Sequence, residues 1–383
     1  MSEFKVCFSK IREINPHPNP EVHSLEIASI YDFQVVISKK QNLKVGDFLL
    51  YIPVDSVLPQ ELNDLIFPEG SKIKLHNNRV RQIRIQKFPS QGLTVQVETI
   101  REYLKQKGLS GGLELKLEHN YADLLNIKKY EPPVPEFQQS GQKQTRNKPL
   151  ENPTFHQYNG LDNIKWFPDM FKDGELVVIQ EKLHGSNIRF GIVPNQANTL
   201  LKKIKKFFGL LPKFENVYGS NKVELTNRSG YKGYYGEDVY GAAVKRIDGF
   251  SKLKPKEIVY GELIGEGIQK NYNYGHKVHH IVIFDVKIVN EDGTTVWLNP
   301  DEVVSFAKDR GFDHVPVLYT GGYNKQLAYE LTLGDSVYCP KQKIREGIVV
   351  KAQEYNDSSC ASKRKSLKWV SEQYLDKENT DFH

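Results

Sequence analysis

Residues 181–190 read EKLHGSNIRF and follow the apolar run GELVVIQ. Lys182 therefore closes a buried-strand pattern, with His184 and Gly185 just after it. Most lysines stay solvated, so an ammonium beside apolar strand residues needs a reason. Nucleophilic chemistry is one such reason. A lysine amine attacks only when neutral, which calls for nearby cations or a metal to lower its pKa. Gly185 would allow a tight turn and let a phosphate approach the backbone. Taken alone, K-x-H-G is a weak motif, and a solvated lysine at an ordinary strand end is its commoner reading.

Three further segments supply the groups such chemistry would need. VYGELIGEGIQKNYNYG (259–275) puts Glu262 at the end of an apolar strand, before a glycine-rich turn. IREGIVVKA (344–352) puts Glu346 and Gly347 before another strand, and SKRKSLKWVS (362–371) adds Lys363, Arg364, Lys365 and Lys368. Two acids and a cation cluster at strand edges suit a nucleotide with a metal. Glutamates bind ribose hydroxyls or hold Mg²⁺ through water. Lysines neutralise charge developing on phosphate.

The elements that must position these residues fall into two regions. Residues 1 to about 100 hold short β-type runs broken by Gly, Pro, Asn or Asp, such as SLEIASIYDFQVVISKK and GLTVQVET, which predict a small β-barrel. TIREYLKQKG and NYADLLNIKKY read as helical. Residues 131–153, EPPVPEFQQSGQKQTRNKPLENP, are a linker by composition. Beyond it, strands such as EIVYGELI and HHIVIFDVKIV alternate with helices expected at 233–247 and 300–310, the latter opened by Pro300. Residues 197–211, ANTLLKKIKKFFGLL, form a basic amphipathic segment that suits a membrane surface or RNA, the commoner reading being a surface helix with one buried face.

The chain has 383 residues, 39% hydrophobic and 26% charged, and its length suggests two or three domains. It has no apolar run long enough to span a bilayer, and its N-terminus lacks a secretory signal. Cys7, Cys339 and Cys360 are far apart and are read as reduced thiols of an intracellular protein, cytoplasmic or nuclear. The net charge of +6 fits a nucleic-acid partner without requiring one. Its distribution is uneven: 71–88 carries lysines and arginines and 202–213 five lysines, neither with an acid. HKVHH at 276–280 lacks metal-ligand spacing and is read as surface or RNA-facing histidines.

In this order, the segments resemble the covalent nucleotidyltransferase superfamily of ligases and capping enzymes. Within it they are similar to the RNA ligase 2-like branch, whose nucleophile motif K-x-H-G-[ST]-N reads KLHGSN here. The resemblance spans about 155–375. The N-terminal HPNPEVHSLEIA and KVGD elements resemble an oligonucleotide-binding (OB) module, and that order of modules is similar to the RNA ligase family typified by the Deinococcus and Naegleria enzymes.

The resemblance implies an α+β chain. An OB-fold β-barrel with a helical extension would occupy 1–130. After the linker at 131–153, an adenylyltransferase domain at 154–383 would be ATP-grasp-like, with two antiparallel sheets and flanking helices. The implied activity is ATP-dependent joining of RNA 3′-OH and 5′-phosphate ends, with Mg²⁺ or Mn²⁺, acting as a monomer on nicked duplexes in RNA repair and without a membrane partner. Lys182 matches the adenylated lysine, and Glu181 the position whose backbone contacts adenine. His184, Gly185 and Asn187 belong to the motif near the phosphates, and Arg228 matches a phosphate-contacting arginine. Glu262 matches the ribose glutamate, Phe284 the residue stacked on adenine, Val349 the opposite wall of the base, and Glu346 the metal-site glutamate. Many relatives carry two lysines one residue apart near the end. Lys368 matches the second, while Ser366 stands at the first, with Lys365 or Lys363 as substitutes. The alternatives are a DNA ligase or GTP-using capping enzyme, against which His184 in place of Asp argues, and a catalytically dead RNA-binding protein.

Overall fold

The computed structural model describes residues 4–71, 73–109, 116–117, 119–130, 151–197, 200–226, 235–290, 294–355 and 364–376. They form two compact units. One takes the described residues of Met1–Pro133, Asp162–Met170 and Leu375–His383, the other those of Val134–Leu161 and Phe171–Tyr374.

The first unit has strands β1 (Cys7–Pro16), β2 (Leu25–Ile30), β3 (Phe33–Ser38), β4 (Phe48–Ile52), β5 (Ser56–Val57), β6 (Ile83–Ile85), β7 (Phe88–Ser90), β8 (Leu93–Gln96) and β9 (Lys128–Lys129), with helices α1 (Gln60–Ile66) and α2 (Val97–Gln106). The main sheet is antiparallel, ordered β3-β2-β1-β4-β8. Alternation builds it: on β4, Leu50 and Ile52 face a core closed by Leu62, Ile100 and Leu104 of the two helices. Leu49 and Tyr51 point the other way, toward Ile30, Phe33 and Val35. Trp166 closes this second core, its ring 5.0 Å from those of Tyr31 and Phe33 and 5.3 Å from Tyr51.

The helical reading of 120–130 does not hold, because Ala122–Asn126 is a run of turns. Asn120 accepts hydrogen bonds from the backbone N–H of Val6 (3.0 Å) and Ala122 (3.1 Å), and Asn126 takes a left-handed φ of 51°. An asparagine that caps turns in this way competes with helix, and the apolar residues Tyr121, Leu125 and Ile127 fill the barrel core regardless.

The second unit contains β10 (Leu176–Lys182), β11 (Ser186–Pro194), β12 (Phe214–Ser220), β13 (Glu257–Ile264), β14 (His280–Val289), β15 (Thr295–Trp297), β16 (Asp313–His314), β17 (Val317–Gly322), β18 (Gly347–Ala352) and β19 (Ser366–Val370). Its helices are α3 (Leu200–Phe207), α4 (Val239–Arg246), α5 (Pro300–Arg310), α6 (Lys325–Glu330) and α7 (Glu372–Leu375), the last residue of which belongs to the first unit. One antiparallel sheet is ordered β17-β10-β18-β19, the other β12-β11-β13-β14-β15 with β16 parallel to β14. On the larger sheet, Val259, Leu263 and Ile283 pack against Val244 of α4 and Phe306 of α5. Ile258 and Tyr260 face the other way, with Tyr158 and Trp297. Helix α5 spans 300–310 as expected, with Asn299 and Glu302 forming its capping box. Helix α3 differs from expectation, since none of its residues is buried.

Candidate active site

Strand β10 delivers Lys182 at its C-terminal end, paired with Gly347 of β18. Directly paired residues share a face and alternate residues repeat it. Lys182, Gln180 and Val178 thus share a face with Val349 and Lys351 of β18 and with Lys368 of β19. Glu346, just ahead of β18, accepts a hydrogen bond from Lys182 Nζ at 2.6 Å. Its second oxygen, Oε2, is buried without a hydrogen-bond partner.

Glu262 arrives from the larger sheet. Asn187 pairs with it across β11 and β13, and Gly185 donates its N–H to Glu262 Oε1 at 2.9 Å. The glycine is explained by this close approach. A Cβ on Gly185 would lie 2.4 Å from the Leu263 carbonyl oxygen and 2.8 Å from Glu262 Cγ. The turn that seemed to call for backbone freedom calls for a bare backbone instead.

These charges oppose the sequence expectation for Lys182. Burial works against its ammonium, but the carboxylates of Glu346 and Glu262 outweigh it and hold the pKa above the ordinary lysine value. Burial pushes Glu262 up to about 8, with Lys182 pulling it down and Glu346 pushing it up. The chain's own groups thus store Lys182 as a paired ammonium, and its neutral form requires something to engage Glu346. The orphaned Oε2 fits a divalent cation in kind, being a hard anionic oxygen in a buried position. No cluster of three ligating side chains occurs among the described residues, so a metal here would take most of its ligands from phosphate and water.

His184 is buried between the rings of Tyr272 and Tyr374, with Nδ1 3.9 Å from Glu346 Oε1. Its backbone N–H donates to Tyr274 Oη at 2.8 Å. Glu181 points to the opposite face of its sheet from Lys182. Its Oε2 accepts from the N–H groups of Val337 (2.8 Å) and Tyr338 (3.1 Å), while Oε1 is buried without a partner, as is Asn187 Oδ1.

Phe284 owes its position to a bulge. Tyr260 pairs with Asp285 but Gly261 pairs with Ile283, so Phe284 is the extra residue. Two consecutive residues, Phe284 and Asp285, therefore lie on the Tyr260 side of the sheet, which a regular strand forbids. Asp285 is fully buried and was missed from sequence. It accepts from Lys351 Nζ (2.8 Å), Arg364 Nη1 (3.0 Å) and Tyr158 Oη (2.6 Å), and Lys351 also donates to the Phe284 carbonyl at 2.7 Å. Burial raises the Asp285 carboxyl, but Lys351 and Arg364 overcome this and keep its pKa below the usual range. The available signal was placement: FDVK sets Asp285 one residue after an aromatic, as the one acid of an apolar-rich strand.

The terminal cations divide. Lys368 lies on the Lys182 face, paired with Val349. Lys365 does not reach this group. Its Nζ pairs with both oxygens of Glu175, at 2.5 and 2.7 Å, ahead of the opposite end of β10. Arg228 and Lys363 lie outside the described residues. The histidines of HKVHH stack instead of gathering around a metal: the rings of His276 and His280 lie 4.5 Å apart, with His280 bonded to Asp313 at 2.6 Å.

In the first unit, Arg79 is held by Asp55 at 3.0 Å and lies over the Tyr130 ring, and Arg84 is held by Asp376. Lys74, Arg81 and Lys87 are exposed. Strand β6 has no buried residue, so the basic run contributes no core face there.

A curled five-stranded antiparallel sheet and a two-sheet α+β unit with a half-buried lysine and two glutamates near its strand ends define the class. An OB-fold domain model matches residues 6–97. The RNA ligase model matches residues 175–370, just over half of the chain, and the chain belongs to that family. No curated protein matches it. Among solved structures, it is similar to Naegleria gruberi RNA ligase with PPi, at 21% identity and a TM-score of 0.69, covering 97% of this chain and 98% of that one. It is similar also to a point mutant of that ligase with ATP and Mn, at 20% identity and a TM-score of 0.70, covering 99% and 100%. A further mutant, with AMP and Mn, matches at 21% identity and a TM-score of 0.69 over 98% and 99%. At this identity the likeness is one of fold.

Proposed function

We propose that the protein is an ATP-dependent RNA ligase that seals 3′-OH and 5′-phosphate ends through an adenylate on Lys182. The observation that carries this reading is Lys182 Nζ held 2.6 Å from Glu346, with Glu262 fixed beside it by Gly185. First, the Lys182 amine attacks the α-phosphorus of ATP, forming a P–N bond as the bond to pyrophosphate breaks. Next, an RNA 5′-phosphate oxygen displaces Lys182 from that phosphorus. Finally, a 3′-hydroxyl attacks the activated 5′-phosphate, and AMP leaves. Splitting the displacement in this way is covalent catalysis, in which positioning and charge neutralisation dominate.

Phe284 and Val349 enclose the base, which the backbone at Glu181 reads, and Glu262 takes the ribose. His184, Asn187 and Lys368 face the phosphates, and Arg228 meets the 5′-phosphate. Glu346 would hold Mg²⁺ or Mn²⁺, which would supply charge neutralisation; with its carboxylate so engaged, Glu346 would no longer hold Lys182 as an ammonium, and the neutral amine would be favoured. Lys74, Arg81 and Lys87 of the OB unit contact the RNA backbone, so affinity falls as salt rises. The protein acts as a monomer on nicked duplexes, in RNA repair.

The test is intact-protein mass after incubation with ATP or GTP and Mg²⁺. An AMP adduct that Lys182→Ala abolishes is expected, followed by sealing of a nicked RNA duplex. A GMP adduct without an AMP adduct, or ligation by the Lys182→Ala protein from unadenylated RNA, refutes the reading.

A further inference from the structure

The connection between β11 and β12 contains α3 and projects an apolar face that nothing in the described residues covers. Residues turn by about 100° each in a helix, which gathers Leu200, Leu201, Ile204, Phe207 and Phe208 into an arc of about 120°. All five are exposed, Phe207 at 84% and Leu200 at 76%. The Phe208 N–H still bonds to the Ile204 carbonyl, which extends the helical turn through the arc. Lys203 and Lys205 flank it, with Lys206 behind.

Lys202 sits about 160° from the middle of this arc by the same turn angle. Its Nζ is bonded at 2.6 Å to Glu215 of β12. That bond holds the polar side of α3 against its own unit and turns the apolar side away. From 198 to 213 the chain has five lysines and no acid.

We propose that α3 docks this unit peripherally on an anionic lipid surface. Charge complementarity selects the occupant. A narrow apolar wedge with lysines on both flanks inserts its rings at the level of the acyl boundary, while the lysine stems let the ammonium groups rise to acidic headgroups. A base-paired RNA would meet the lysines but leave two phenylalanines and three aliphatic side chains in water. No helix among the described residues is long and apolar enough to cross a membrane, so the contact is a surface one.

The experiment is co-sedimentation of the full chain with phosphatidylcholine vesicles containing roughly a third phosphatidylserine, and with phosphatidylcholine alone. Partitioning onto the anionic vesicles is expected, falling by roughly thirtyfold without phosphatidylserine, as the two flanking lysines near the surface imply. The triple variant Leu201→Glu, Phe207→Glu, Phe208→Glu should lose vesicle binding and keep the wild-type melting temperature, because all three side chains are exposed. The variant Lys203→Gln, Lys205→Gln, Lys206→Gln should lose the preference for phosphatidylserine. No binding to anionic vesicles, equal binding by the first variant, or its loss of RNA binding in place of lipid binding would overturn the proposal.

Discussion

Replacing Asp285 by Asn should expose how much the second unit depends on a single carboxylate. In the wild type, Asp285 stands between Lys351 and Arg364, and all three side chains are at most 3% exposed. Two cations share one anion, so the buried cluster carries a net charge of +1. Asn keeps the shape and raises that charge to +2. Removing one partner of such a group costs about 3 to 5 kcal/mol, against a total stability of about 5 to 15 kcal/mol. In urea, at about 2 kcal/mol per molar, the midpoint should fall by about 2 M. Emission of Trp297 is a suitable local readout, since the Arg364 guanidinium lies 4.4 Å from its ring. Adding Lys351→Met returns the charge to +1 and should recover about 1 to 3 kcal/mol of the loss. Burial already lowers the Lys351 pKa, so the single variant should also regain stability as pH rises and that amine gives up its proton. A loss below about 1 kcal/mol, or no recovery in the double variant, would refute this electrostatic account.

Gly185→Ala should cost about 3 kcal/mol and abolish AMP-adduct formation, because its Cβ would overlap the Leu263 carbonyl; calorimetry and intact mass check both. Lys365→Met should change stability by no more than about 1 kcal/mol and leave adduct formation intact, since it and its partner Glu175 are both partly solvent-exposed. Lys368→Met should slow adduct formation by roughly tenfold or more, as expected for a group that neutralises phosphate charge. Glu262 has a folded-state pKa of about 8 against an ordinary 4.5, so its contribution is fully present below the ordinary value and lost as pH rises through about 8. Glu262→Gln should therefore gain on wild type in melting temperature as pH is raised from about 5 to about 9; a constant difference would contradict the raised pKa.

Local pattern made much of this molecule legible. GELVVIQEK and EGIVVKA are apolar runs long enough for strands, and their ends place Lys182 and Glu346 side by side. Pro300 and Asn299 announce α5. Other features depended on tertiary context. The bulge at Phe284 leaves no local mark, because nothing within VIFDV shows which of its residues is left unpaired. Asp285 was overlooked because a lone acid in a strand reads as solvent-facing until its two cations arrive from β18 and from just ahead of β19. The lysine-rich SKRKSLK looked like a single cationic cluster. Lys368 lies on the Lys182 face of β19, whereas Arg364 and Lys365, just ahead of that strand, reach Asp285 and Glu175. The expected depression of the Lys182 pKa came from the requirement that a nucleophilic amine be neutral, with cations or a metal to lower it, whereas the nearest charge in space is a carboxylate.

Trp166 has a consequence for the order in which the molecule can fold during synthesis. The strands that form its binding surface, β1 to β4, have all been synthesised by about residue 52, yet the indole that closes their second core arrives over a hundred residues later. Until then Tyr31, Phe33 and Tyr51 present a ring-lined surface without its cover. A nascent chain halted before residue 162 would carry a barrel of the correct strands and a sticky flank, and it would be a natural client for holding chaperones. An isolated barrel fragment made for RNA-binding studies would stay soluble only if Asp162–Met170 is carried with it.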